Sequence, residues 1–322
     1  MATEHNFLFE AQQAPRRLDH FLADELPELS RSQIKRLIED GQVQVDGRVT
    51  KAGEKLKGGE RLRVIEPAPQ AALPVAEAIE LEVLYEDSHL IVINKPAGLV
   101  VHPAAGHSSG TLVNALLHHC TDLSGIGGEL RPGIVHRLDK ETSGVMVATK
   151  DDATHQELSR QFKEHSITRR YLALVHGMVQ NNQGVIDRPI GRHPTDRKKM
   201  SSRSGRGRRA VTRWQVLKRF DRDRLTLLEL TLETGRTHQI RVHFADMNLA
   251  LVGDPVYGST SRTNALHDLD LRRLVQRLGR QALHAQLLGF VHPATGEYLE
   301  FKSPPPADLQ AVLDYLDRLY AE

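Results

Sequence analysis

Residues 133–144, GIVHRLDKETSG, set Asp139 among His136, Arg137 and Lys140, with Ile134 and Val135 before it and Ser143–Gly144 behind. A carboxylate in such a setting is either a surface salt bridge or a reactive acid working on something anionic. Three further stretches share its character of polar residues framed by strand: YEDSHLIVINKPAGLVVHP (85–103), TRRYLALVHG (168–177) and ETGRTHQIRVHF (233–244). Taken singly, each has a bland reading: a turn after a strand, a core tyrosine, an exposed strand. Read as a strand, the last puts Thr237, Gln239 and Arg241 on one face and His238, Ile240 and Val242 on the other. An arginine opposite Ile240 turns inward only toward an anion, and Asp139 is the candidate. Such a desolvated pair keeps the acid ionised, because a neighbouring cation favours the charged form. An ionised, positioned carboxylate suits nucleophilic attack or proton abstraction near a sugar.

Other constellations carry less. His118, His119 and Cys120 are adjacent, so on a helix they diverge and cannot share one tetrahedral ion, and no C-x-x-C or H-E-x-x-H pattern exists. GHSSG (106–110) fits a nucleophile elbow only loosely, since HPAAG rather than a strand precedes it. GRGRR lacks the lysine of a phosphate-binding loop. No metal is expected.

The elements that must hold these residues fall into two groups. Residues 16–65 read as a small α+β domain. Leu18, Phe21, Leu22 and Leu26 lie at helical spacing, and SRSQIKRLIEDG comes next with Ser30 as N-cap and Gly41 as stop. Arg31 and Lys35, four residues apart, stack on that second helix's outer face. QVQVDGRVT is a hairpin signal around Asp46–Gly47, with RLRVI as a closing strand. Residues 1–15 are expected to be a flexible extension, and the Pro/Ala-rich 66–78 a linker. From 79 to 322 strand signals dominate, broken by helical stretches at 111–120 and 153–164. Strands and helices do not alternate strictly, so the expected fold is α+β, with a mixed, largely antiparallel sheet and flanking helices. Residues 259–282 read as an inserted, partly helical excursion.

Composition narrows the setting. The 322 residues are 39% apolar with 5% aromatics, as in a globular protein, and Cys120 stands alone, which fits a reducing compartment. No run of about 18 apolar residues suggests a membrane span. The acid-bearing start lacks the apolar core of a secretory signal. A cytoplasmic protein is expected. Net charge is only +2, yet residues 192–224 hold 13 Lys/Arg against 3 Asp, an excess of ten that leaves the remainder at about −8. The cluster is either a solvated loop or, the favoured reading, a footprint for a phosphate backbone, with Arg206, Arg208 and Arg209 as candidate contacts. Within it RKKMSSRSGRGRRA (197–210), rich in Gly and Ser, is expected to be mobile until it meets a polyanion.

SRSQIKRLIEDGQVQVDG resembles the RNA-binding domain first seen in ribosomal protein S4. GIVHRLDKETSG, INKPAGLVVHP, RRYLALVHG and ETGRTHQIRVH, in that architecture and with GDPVYG (253–258) and RQALHA (280–285) beyond them, resemble the large-subunit-rRNA branch of the pseudouridine synthases. The resemblance implies an isomerase that detaches uracil from ribose, turns it and rejoins it through C5, without metal, nucleotide or redox cofactor. It implies Asp139 as the essential acid and Arg241 as its partner. Tyr171 would be the tyrosine that stacks on the base and helps remove the C5 proton, and Arg137 the side chain filling the space left by the extruded nucleotide. The expected substrate is 23S rRNA in a large-subunit assembly intermediate, at the hairpin loop of helix 69, and the expected state is a monomer. Two rivals stand beside it: a non-catalytic rRNA-binding factor, and a glycosidase that would release free base.

Overall fold

Leu18, Phe21 and Leu22 form the buried stripe of helix α1 (Leu18–Glu25), and Ile34 and Ile38 that of α2 (Arg31–Glu39). These stripes pack over a four-stranded sheet whose order is β1 (Thr3–Leu8), β6 (Arg61–Glu66), β3 (Val43–Val45), β4 (Arg48–Val49). A short ladder joins β2 (Arg16–Arg17) to β5 (Lys55–Leu56). Asp46 and Gly47 turn the β3–β4 hairpin at φ +48° and +76°, the left-handed conformations a two-residue hairpin turn requires. Gly41, at φ +72°, ends α2 while the Gln42 amide donates back to the Leu37 carbonyl.

One expectation fails here. The flexible extension over 1–15 instead supplies β1, which pairs antiparallel with β6 from Thr3↔Glu66 to Leu8↔Arg61, and Phe9 is buried behind it. Its partner lies about 60 residues away in the chain, which local patterning does not reveal.

The computed structural model describes residues 3–27, 29, 31–66, 74–103, 109–120, 123, 132–196 and 199–321, apart from the side chains of Arg31 and Ser32. Ser30, most of the linker expected over 66–78, and 106–108 of GHSSG lie outside those residues. The chain divides into two units, Met1–Ala71 and Ala72–Glu322.

The larger unit is built on a nine-stranded sheet. Its early strands are β7 (Val83–Glu86), β8 (Leu90–Lys95), β9 (Ser143–Thr149) and β10 (Thr168–His176), with helices α3 (Leu112–His119) and α4 (Asp152–Glu164) between them. Then come β11 (Gln183–Asp187), the short pair β12 (Gly191–Arg192) and β13 (Met200–Ser201), and the long hairpin β14 (Val211–Phe220) with β15 (Leu225–Leu232). Helices α5 (Gln239–Asp246), α6 (Thr260–Asn264) and α7 (Leu269–Leu278) precede β16 (Leu283–Val291), β17 (Tyr298–Lys302) and α8 (Ala307–Leu319). The order across the sheet is β11-β14-β15-β10-β16-β9-β8-β7, with β17 also against β16. Every pairing named is antiparallel except β16 with β9, which meet in parallel at His284↔Ser143 and Ala285↔Gly144. This is the mixed, largely antiparallel α+β architecture that the pattern of strands and helices implies. Among the described residues no helix is long and apolar enough to cross a membrane.

Both faces of the central strands are covered. Ile91, Ile93, Met146, Tyr171, Ala173 and Val175 face one apolar layer, while Leu90, Val92, Val145 and Val147 face another. Alternate residues of a strand point to opposite faces, so these runs read as continuously apolar. Arg169 and Tyr171, two apart on β10, therefore share the face that carries the site.

Candidate active site

Asp139 sits in a turn closed by the Thr142 amide, which donates to the Asp139 carbonyl at 3.0 Å. The start of β9 fixes that turn from behind. Gly144 has φ +123°, and a Cβ there would fall 2.2 Å from the Ala285 carbonyl oxygen. Only glycine lets β9 approach β16 this closely. From the other side Lys95, fully buried at the end of β8, donates from Nζ to the carbonyls of Pro96, Leu99 and Lys140 at 2.7, 3.0 and 3.1 Å. It thereby ties the NKPAG turn to the turn of Asp139. Burial pushes the Lys95 ammonium down to about 7, against the pull of the Glu141 and Asp139 carboxylates.

The partner of Asp139 arrives from a helix, not a strand. The alternation in RTHQIRVH is misleading. All six residues from Gln239 to Phe244 are buried in α5, so their polarity does not mark inside and outside. Ile240 and Phe244, four apart, enter one core layer, and Val242 packs with Ile190 and Ala210 in another. A short apolar run of this kind has no diagnostic period. Gln239 anchors the start, its Oε1 accepting from Thr234 Oγ1 and the Arg236 amide and its Nε2 donating to the Val211 carbonyl.

From the first turn of α5, Arg241 donates through Nη1 to Asp139 Oδ2 at 3.0 Å. It is also bound, more tightly, by a residue that sequence reasoning missed. Nε and Nη2 donate to the two oxygens of Asp254 at 2.7 and 2.9 Å. Asp254 in turn accepts from the amides of Val256 and Tyr257, and the Tyr257 ring lies 5.1 Å from the guanidinium. Burial alone would lower the Arg241 pKa, but Asp254 and then Asp139 outweigh it and hold the guanidinium charged. Asp254 lies in GDPVYG, a segment whose chemistry shows only once α5 is folded beside it.

His238, with a left-handed φ of +56°, places Nε2 3.9 Å from Asp139 and Nδ1 2.9 Å from the Tyr257 hydroxyl. Burial lowers its pKa while Asp139 opposes the shift. His136 accepts the Val147 amide hydrogen at Nε2, stacks on Phe162 at 4.6 Å, and is pushed down by burial to about 3, so its ring is neutral.

Asp139, Arg241, Tyr171 and Arg137 all line one cleft of about 830 Å³. That volume falls within the roughly 300–1,000 Å³ typical of ligand sites. Tyr171 is buried, which raises its phenol pKa, whereas Arg137 is exposed. Arg208 also reaches the cleft; Arg206 and Arg209 are not part of its lining. The chain over 199–210 is tied down, contrary to the mobile loop expected. β13 pairs with β12, the Met200 amide donates to the Tyr257 hydroxyl, and Arg208 bridges to Ile190. Arg197 and Lys198 lie outside the described residues. Lys35, in the smaller unit, is exposed and pairs with Glu39 at 3.5 Å; the Arg31 side chain lies outside the described residues. His119 is engaged by Glu86 at 2.8 Å and Cys120 is buried. Among the described residues no cluster of three His, Cys, Asp or Glu could hold a metal.

The family model described as RNA pseudouridylate synthase matches residues 89–246, and that of the S4 domain residues 16–62. The ribosomal large subunit pseudouridine synthase D of Zymomonas mobilis subsp. mobilis is 46% identical over 304 residues, 93% of each chain. Its counterpart of that name in Pseudomonas aeruginosa is 45% identical over 301 residues, 93% of this chain and 92% of that one. Among solved structures, human RNA Pseudouridylate Synthase Domain Containing 1 superposes with a TM-score of 0.56 at 26% identity, over 76% of this chain and 96% of that one.

Proposed function

The chain belongs to the RNA pseudouridylate synthase family, and from that premise we propose that it isomerises uridines of 23S rRNA with Asp139 as the reacting acid. Its substrate class is large-subunit rRNA, the class named in relatives that match it over more than nine-tenths of its length. The finer target, by resemblance, is the hairpin loop of helix 69 in a maturing large subunit in the cytoplasm, where unstacked bases are the cheaper ones to flip. The observation that carries the reading is the Arg241–Asp139 pair on the wall of a cleft of about 830 Å³, roomy enough for a flipped nucleotide, beside Tyr171.

The chemistry derives from that placement. A uridine inside folded RNA is swung out at a cost of a few kcal/mol, and Arg137 at the exposed rim fills the gap. The Asp139 carboxylate either attacks the anomeric carbon or removes the 2′ proton. In both cases the C1′–N1 bond breaks with its electron pair on uracil. The base turns, and C5 bonds to C1′ as the Asp139–C1′ ester bond breaks or, on the other route, as Asp139 returns the proton to C2′; the C5 proton then leaves. Burial keeps the Tyr171 phenol protonated at neutral pH, so stacking is its first role, and it can take the C5 proton only by passing on its own.

The test is tritium release from large-subunit rRNA labelled at uracil C5, with free uracil assayed alongside. Wild type should release tritium and no uracil, and Asp139→Asn should release neither while binding RNA within a few-fold of wild type. Full turnover by Asp139→Asn would remove Asp139 from the mechanism. Free uracil would make the protein a glycosidase, and tight binding without release would make it a binding factor.

A further inference from the structure

Among the described residues, Arg169 is a buried cation without an anion. Its side chain is 7% exposed on β10, and Nη2 donates to the carbonyls of Leu232 and Glu233 at 3.2 and 3.0 Å. Nε is buried, and among the described residues it has no hydrogen-bond partner. Among the described residues no carboxylate pairs with it, and the Arg236 charge repels it. The neighbouring loop is cut to fit: a Cβ on Gly235 would sit 2.9 Å from Nη1. Burying a guanidinium without a carboxylate is costly. The two carbonyls and the Phe162 ring 5.7 Å from it offset only part of that cost, so an arriving negative charge would be well received. Arg169 lines the cleft and lies on the same strand face as Tyr171, in direct electrostatic contact with it.

We propose that Arg169 receives an oxygen of the departing uracil, so that a fixed positive charge meets the electron pair released when the C1′–N1 bond breaks. The inference rests on the pseudouridine-synthase reading above. Heterolysis leaves the pair on N1, delocalised onto O2 and O4, while the ribose carbon either bonds to Asp139 or loses its 2′ proton to it. Arg169 donates hydrogen bonds and transfers no proton. When C5 attacks C1′, the charge leaves the oxygens and the contact weakens, so the guanidinium stabilises the detached base more than the attached one. Donors preorganised toward a developing oxyanion act in this way. Depth favours uracil over a phosphate as the ligand. Arg137 and Arg208 are exposed and Arg236 is half-buried, which suits backbone contacts at the mouth, whereas Arg169 lies beside the ring against which the base stacks.

The experiment measures single-turnover loss of the N-glycosidic bond in two large-subunit rRNA transcripts, one carrying uridine and one 5-fluorouridine. Fluorine withdraws electron density and makes the base a better leaving group. Arg169→Met should slow cleavage of uridine about 100-fold but of 5-fluorouridine only about tenfold, with RNA affinity unchanged. Arg169→Lys should fall between, keeping charge without the planar fork. Equal slowing on both bases would overturn the proposal and leave Arg169 a packing role. Weaker binding with a flatter salt dependence would overturn it in favour of a phosphate contact. If Arg169→Met does not fold, Gly235→Ala, which crowds Nη1, is read by the same criteria. Absence of cleavage by the wild type itself would instead sink the underlying reading.

Discussion

At the scale of single residues, His136 shows how the motif is neutral where its composition looks basic. Its ring is pushed to about 3 from the ordinary 6.5 by burial, with the nearby Arg169 charge acting in the same direction. Between those values the unfolded chain binds a proton that the folded chain refuses, so stability rises with pH across that window. His136 thus contributes fully above about pH 6.5, and its contribution is lost as pH falls toward 3. One proton corresponds to about 1.4 kcal/mol per pH unit. In His136→Gln, where the amide oxygen can still accept from Val147, the slope of unfolding free energy between pH 4 and 6 should be shallower by about that amount. Denaturant titrations at several pH values measure it. Identical slopes would mean that protonated His136 is tolerated in the fold. His176, lowered by burial to about 4, acts with the same sign and is common to both proteins.

At the scale of elements, legibility tracked the range over which each signal acts. The hairpin at Asp46–Gly47, the α1 and α2 stripes, and the strands around Ile91, Val145 and Ala173 were readable because turn chemistry and periodicity are local. Helix α5 was not, since burial on every side erases its period. Nor was β1, whose partner is far off in the chain. In the candidate site, Asp139 and Arg241 are legible as an acid and a possible cationic partner by residue type, but the strand spacing that turned Arg241 inward is not the geometry that does so. Asp254, Lys95 and Arg169 acquire meaning only through contacts across elements. Gly144 makes the point testable. Ser-Gly reads as a turn signal, but the residue's duty is the close passage of β9 along Ala285 of β16. Gly144→Ala faces both a positive φ and a backbone clash, so it should lose roughly 3 kcal/mol or more of stability. Because Asp139 hangs from the same segment, turnover should drop more than RNA affinity. A variant with wild-type stability and activity would show that the strand pair can separate at no cost.

At the scale of the whole molecule, the question is how a chain of net charge +2 holds a polyanion. The cations are concentrated, and the fold decides which of them are free to act. Arg209 is flanked by Asp187 at 3.3 Å and Glu233 at 4.0 Å, so its charge is largely compensated in place. Arg208 opens onto the cleft and Arg206 is exposed nearby on the same anchored segment. Each phosphate contact to unpaired RNA contributes about 0.7 to the slope of log affinity against log salt. The double variant Arg206→Gln/Arg208→Gln should therefore flatten that slope by about 1.4 and weaken binding most at low salt. Arg209→Gln alone should change it by less than about 0.3, since no contact is removed. Filter binding of large-subunit rRNA across a salt series decides between them. Equal effects at all three positions would mean that the segment acts as diffuse charge. No effect at any would place the RNA elsewhere and leave the basic cluster a solvated surface.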